Sequence, residues 1–251
     1  MIEVTTLFSV GAVGMLVGTL LFAWGGLNAS REERRYYLTL VGISGIAAVA
    51  YALMALGVGW YTVGERTVFI PRYVDWILTT PLIVLFLGLL AGIDRRTFAA
   101  VIGLNTLVMV AGFVAATLPG IERFALFSVG SVAFVALVYY LYGPMTRRAG
   151  TKSEGIEKLY LRLRNLTAVL WSVYPLIWVL GPPGLNLLTT TIDIALITYL
   201  DLVTKVGFGL IALDASATLR SEFGVSLAGA DAGVGPAANA NSADPTPADD
   251  D

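Results

Sequence analysis

Apolar residues in this chain fall into seven long runs separated by short polar links, at roughly 4–26, 36–57, 71–93, 97–118, 124–146, 159–181 and 189–219. About 20 mostly apolar residues are needed to carry a helix across the hydrocarbon of a bilayer, and each run meets or nearly meets that length. The pattern predicts an all-α, seven-transmembrane-helix bundle filling one domain over 1–221. An odd number of spans puts the termini on opposite sides. The first run follows only Met1, Ile2 and Glu3, with no basic stretch before it, and is expected to be a retained helix and not a cleaved signal peptide. Between the second and third spans the β-prone arms Trp60-Tyr61-Thr62-Val63 and Arg66-Thr67-Val68-Phe69 flank Gly64-Glu65. This predicts a short hairpin with a type II′ turn, an irregular loop being the alternative. Pro71 stands where a helix would begin, a position that needs no N–H. From Glu222 the chain is rich in Ala, Gly, Asp, Asn and Pro, so 222–251 is expected to be a disordered acidic cytoplasmic tail.

Composition sharpens the membrane reading. Of 251 residues, 57% are hydrophobic and 14% charged, against about 45–50% and about 25% in soluble domains. There is no Cys and no His, which removes disulfides, thiolate chemistry and the commonest metal ligand and general base. Hydrolase triads and zinc sites are therefore disfavoured, and no enzyme activity and no metal are expected. Six of the 18 acids lie in the tail, leaving 12 against 16 bases in the body, an excess that bears on membrane orientation and not on nucleic acid. Arg31, Arg34, Arg35, Arg95, Arg96, Arg147, Arg148, Lys152, Lys158, Arg162, Arg164 and Arg220 belong to one set of loops and helix ends. The opposite set has only Arg66, Arg72 and Arg123. The positive-inside rule then predicts an extracellular N-terminus, an extracellular hairpin and a cytoplasmic C-terminus in a multi-pass membrane protein.

Charges inside the spans are the candidates for chemistry, because an ionised group near a helix centre costs about 2.5–3.5 kcal/mol on the insertion scale. The third span holds Arg72 and Asp75, and the seventh holds Asp193, Asp201, Lys205 and Asp214. Arg72, Asp193 and Asp214 lie near helix ends, where snorkelling or interfacial water explains them equally well. Asp201 and Lys205 are deeper, and a spacing of four puts them on one helix face about 6 Å apart along the axis. They are either a packing ion pair or a reactive site. A buried Lys is the residue type that forms Schiff bases with carbonyl compounds. A protonated Schiff base there would need counter-charge, which Asp75 and Asp201 can supply. With Arg72 added, the four charges sum to zero. On the sixth span Trp171, Tyr174 and Trp178 form one stripe around Pro175, and Trp76 follows Asp75 on the third. Such rings pack helices more often than they hold a ligand, but a buried Lys beside them gives the second reading weight.

The run Arg72-Tyr73-Val74-Asp75-Trp76-Ile77-Leu78-Thr79-Thr80-Pro81, with Asp201-Leu202-Val203-Thr204-Lys205, closely resembles the microbial retinal-binding rhodopsins. The resemblance covers about residues 4–220 and is strongest toward the sensory rhodopsin II branch, the archaeal phototaxis receptors. It implies that all-trans retinal is bound covalently to Lys205 as a protonated Schiff base. It also implies that Asp75 is the counterion and proton acceptor, and that Asp201 and Arg72 complete the cluster. A pocket of Trp76, Thr79, Val108, Gly130, Trp171, Tyr174, Trp178 and Thr204 follows from the same likeness. Light would isomerise retinal to 13-cis, the proton would pass to Asp75, and the sixth span would tilt to bias a two-span transducer protein touched by Thr189 and Tyr199. Thr204 is expected to hydrogen-bond Tyr174 in that relay.

Pumps of this family carry a proton-donating carboxyl three turns beyond the counterion. Eleven residues past Asp75, about 16 Å along the helix, stands Phe86, whose ring holds no titratable proton, although lipid-facing packing would also account for it. Slow return of the proton suits a light sensor. Asn105, Val108, Gly130 and Thr204 also agree with the sensory branch more than with the pumps, and Asp75 argues against a chloride pump. The alternatives are a light-driven proton pump of low turnover, which sustained acidification or alkalisation of illuminated vesicles would reveal, and a retinal-free receptor or transporter using Asp201 and Lys205 for an ionic substrate.

Overall fold

The computed structural model describes residues 3–27, 29–31 and 33–214. Seven helices long and apolar enough to cross a membrane run α1 Val4–Leu27, α2 Arg34–Ala55, α3 Ile70–Ala91, α4 Arg95–Thr117, α5 Glu122–Ala149, α6 Glu154–Leu180 and α7 Thr190–Asp214. These are the seven expected spans, with the ends shifted by a few residues. The predicted tail, Arg220 and the last turn expected for the seventh span lie outside the described residues.

Local chemistry sets the boundaries. Asp94 caps α4 by accepting from the N–H groups of Arg96 and Thr97, both at 2.9 Å, and these bonds hold its carboxyl below the ordinary range. Ser153 caps α6 through the Ile156 N–H, and Gly92 closes α3 in the left-handed conformation at φ +65°. Between α2 and α3 the strands β1 Trp60–Val63 and β2 Arg66–Phe69 pair antiparallel, with Trp60 opposite Phe69 and Val63 opposite Arg66. Gly64 takes φ +60° and Glu65 stays at negative φ, which fits the II′ turn and excludes I′. Pro71 sits in the first turn of α3.

The helices close into a ring, α1 packing on α2 and α7, and α3 on α2, α4 and α6. Aliphatic side chains such as Val132, Val135 and Leu38 face outward, as a lipid solvent allows. Of the seven, α3 and α7 are the most buried, and these two carry the intramembrane charges. Two single π-type turns interrupt the bundle, at Leu141–Met145 in α5 and Val203–Gly207 in α7, and the second contains Lys205. In α5 the carbonyl of Leu141 accepts from Thr146 Oγ1 and from Tyr160 Oη of α6, each at 2.7 Å, so the bulge stays hydrogen-bonded.

Candidate functional site

Lys205 lies on the inner face of α7, about 1% exposed, and its Nζ donates to Asp75 Oδ2 of α3. Its second anionic neighbour is Asp201, one turn back on α7, with Oδ2 at 3.6 Å. A cation and two acids thus meet where the two most buried helices face each other.

The two acids are held differently. Asp201 accepts from Tyr51 Oη of α2 at 2.8 Å, Tyr174 Oη of α6 at 2.6 Å and Trp76 Nε1 of α3 at 3.2 Å. Three neutral donors and a nearby ammonium satisfy it as an anion. Asp75, buried to the same degree, has Lys205 on Oδ2 and, among the described residues, no hydrogen-bond partner on Oδ1. Tyr51 reaches Asp201 because α1 has Gly11 beneath it: a Cβ there would strike the Tyr51 ring.

Arg72 takes a different partner from the one its spacing suggested. Its Nη1 bonds Asp193 Oδ2 at 3.2 Å, both side chains being about 6% exposed, and its guanidinium lies 5.1 Å from the centroid of the Phe69 ring. Helical side chains lean toward the helix N-terminus, which for α3 is the hairpin end, so Arg72 reaches away from Asp75 toward the first turn of α7. Asp193 is accordingly a buried ion-pair partner, not an acid facing interfacial water. With it included, the ionised groups sum to −1 and not to zero.

Beside this cluster a largely apolar cavity is walled by Trp76, Thr80, Val108, Met109, Gly112, Gly130, Phe134, Trp171, Tyr174, Pro175 and Trp178, and Asp201, Thr204 and Lys205 form its polar end. Trp76 and Tyr174 meet edge to face with centroids 5.3 Å apart, and Trp178 stacks on Phe127 at 4.1 Å. At Gly130 a Cβ would come within 3.4 Å of Ala111 Cβ, so the glycine widens the chamber without being forced by contact. Flat rings on facing walls and a primary amine at one end fit a long conjugated aldehyde.

The model of the family described as bacteriorhodopsin-like protein matches residues 3–219. The chain belongs to the bacteriorhodopsin-like family. This family implies a retinal chromophore, and the chamber suits one. Sensory rhodopsin-2 of Natronomonas pharaonis is 71% identical over 92% of this chain and 97% of the relative. Sensory rhodopsin-2 of Haloarcula vallismortis is 45% identical over 88% and 94%. Among solved structures, thermophilic rhodopsin from Rubrobacter xylanophilus superposes with a TM-score of 0.82 at 34% identity, over 85% of this chain and 96% of that one. Seven membrane-capable helices and this membership make the chain a multi-pass membrane protein.

Most of the pocket residues expected from the motif line this bacteriorhodopsin-like chamber, namely Trp76, Val108, Gly130, Trp171, Tyr174, Trp178, Thr204 and Lys205. Thr79 does not: it is buried, and its hydroxyl returns to the Asp75 carbonyl at 2.8 Å. Thr80 takes the wall position, accepting from Asn105 Nδ2 at 2.8 Å. Tyr174 and Thr204 stand at 3.5 Å, at the long limit of a hydrogen bond, because Tyr174 donates to the Asp201 carboxylate and Thr204 to the Asp201 carbonyl. Thr189 is exposed and caps α7 through the Ile192 N–H at 3.3 Å. Tyr199 is 65% exposed on the outer face of the bundle. Phe86 is fully buried, edge to face with Tyr36 and Phe208 at 5.3 and 5.2 Å, so it does not face lipid. Tyr51, Asp193, Thr80, Met109 and Phe134 were not anticipated as part of the site; only Asp193 stood out as a charge within a span.

Proposed function

We propose that this chain is a phototaxis photoreceptor that carries all-trans retinal on Lys205 and reports light to a membrane transducer. The observation that carries the reading is a buried primary amine, bonded to Asp75, at the polar end of an aromatic-walled chamber. The identity to sensory rhodopsin-2 proteins supports the sensory role. Bound there as a protonated Schiff base, retinal supplies absorption of visible light and a double-bond isomerisation driven by it.

The chain's own residues do the rest. Lys205 Nζ holds the proton, and two anions in a low-dielectric interior keep it there in the dark. Asp201 already accepts from Tyr51, Trp76 and Tyr174. Asp75, whose Oδ1 has no partner among the described residues, is the carboxylate that can accept the proton while giving up the fewest hydrogen bonds within the chain. Transfer removes the charge pair between α3 and α7, which changes the balance of helix packing that a bound transducer senses. On the return path the ring of Phe86 has no proton to give, so the signalling state outlasts the cycle of a pump. Arg72 and Asp193 form a second ion pair toward the hairpin end and hold that side of the cluster.

Orientation follows from the basic side chains. Arg34, Arg35, Arg95, Arg96, Arg147, Arg148, Lys152 and Lys158 crowd the end opposite the hairpin, which the positive-inside rule makes cytoplasmic. Tyr199 presents a phenol on the lipid-facing surface of α7, where a hydroxyl gains by meeting a partner helix. With Thr189, near the hairpin end, it marks the surface for a two-span transducer. Residues 222–251 are the proposed acidic cytoplasmic tail.

Retinal added to the purified chain should give a visible pigment, and Lys205→Ala should give none. A pigment of equal intensity in Lys205→Ala would overturn the assignment.

A further inference from the structure

We propose that Arg66 is the clasp of a lid at the hairpin end, a single guanidinium that binds two interhelical links together and shuts the Lys205 chamber against water and water-borne nucleophiles. The proposal rests on reading that chamber as the retinal site. Arg66 Nη1 donates to the Pro183 carbonyl of the α6–α7 link at 2.9 Å, and Nη2 to the Leu118 carbonyl of the α4–α5 link at 2.8 Å. Arg123 repeats the bridge: Nη2 holds the Gly184 carbonyl at 3.1 Å and Nη1 the Pro119 carbonyl at 2.9 Å. Among the described residues neither arginine forms an ion pair with a carboxylate. The two cations hold the same two links side by side, and burial with the nearby Arg123 charge pushes Arg66 below its ordinary value.

The clasp bears on the chamber directly, because Pro183 and Tyr73 are both part of its wall. The hairpin buries Val63 and Val68 against Tyr73 and Ala116, so one strand pair presses on one wall residue while its arginine holds another. A planar fork reaches two carbonyls at once, which a lysine ammonium on a flexible stem cannot reproduce in fixed geometry. Arg66 is thus a positioning residue, acting on the chamber through the links.

The test compares the full chain with Arg66→Ala and Arg66→Lys, each loaded with retinal, in dark hydroxylamine. This reagent forms retinal oxime and releases Lys205 as the free amine. Arg66→Ala should bleach about tenfold faster, the scale of one charge-assisted hydrogen bond, with Arg66→Lys between and neither absorption band moved. In the retinal-free proteins, amide exchange at 185–188, whose N–H groups bond Val179, Leu180 and Gly181 carbonyls, should quicken in Arg66→Ala. Unchanged bleaching together with unchanged exchange in a folded variant would overturn the clasp. If the unsubstituted chain takes up no retinal, the chamber reading fails, and the exchange rates alone still judge the clasp. Should Arg66→Ala not fold, Arg66→Lys decides: bleaching at the unsubstituted rate would refute the forked bridge.

Discussion

On the hairpin side of Lys205 hydrogen bonds converge on the amine, and on the opposite side its neighbourhood on α3 and α7 is aromatic and aliphatic, with the buried polar contacts, such as Thr19–Ser44 and Tyr160–Leu141, on the outer helices. The first half joins Asp75, Asp201, Tyr51, Trp76 and Tyr174 around the amine and places the Arg72–Asp193 pair beyond them. The second half stacks Phe208, Phe86 and Tyr36 edge to face within a core of Leu40, Leu87 and Leu90. Charge relocates cheaply where donors and acceptors already exist and expensively where each polar group would stand alone. On the reading proposed above, a proton leaving Lys205 has Asp75 as a near acceptor on one side and the Phe86 and Phe208 rings on the other.

The largest change in rate should come from placing a carboxyl in the aromatic half. Phe86→Asp would put a protonated carboxyl in register with the amine, and recovery after a flash should quicken by on the order of a hundredfold, within the usual range for a positioned general acid. Time-resolved absorbance measures it; an unchanged recovery would mean that the missing carboxyl does not limit the return. Next comes the outer pair on the hairpin side. Arg72→Gln leaves Asp193 buried without its cation and should cost about 3–5 kcal/mol of stability, read from unfolding in detergent. Arg72→Gln combined with Asp193→Asn should recover most of that loss, and a double variant no better than the single would deny the coupling. The smallest change is Tyr51→Phe, which removes one of the neutral donors to Asp201 and should cost about 1.5–3 kcal/mol, the range for a bond to a charged group. If unfolding and the pigment band both stay put, Asp201 is held by Tyr174 and Trp76 alone.

Much of this was legible in the chain, for identifiable reasons. Lipid demands long apolar helices, so seven spans can be counted from hydropathy, and the Gly64-Glu65 turn can be read from two strands of suitable residues. Lys205 and Asp201 announce themselves because charge in a span is costly. Arg72 was placed on the right helix, but its partner depended on which way a side chain leans, and Asp193 looked ordinary from its closeness to a helix end. Tyr51 gave no signal: it stands 150 residues from Asp201, inside an apolar run where a tyrosine is unexceptional. Thr79 and Thr80 are neighbours in a motif, and only the rotation of α3 decides which one meets the chamber.

The absent side chain at position 11 shows how far the pigment's surroundings extend. α1 contributes nothing to the chamber wall, and its sequence reads as neutral wrapping. Yet the hollow it leaves at Gly11 is where the Tyr51 ring rests while its hydroxyl reaches the anion. The position of a buried anion's donor is thereby delegated outward, to a helix that lines no part of the chamber, where adding one methyl group would displace the Tyr51 ring and with it the bond to Asp201.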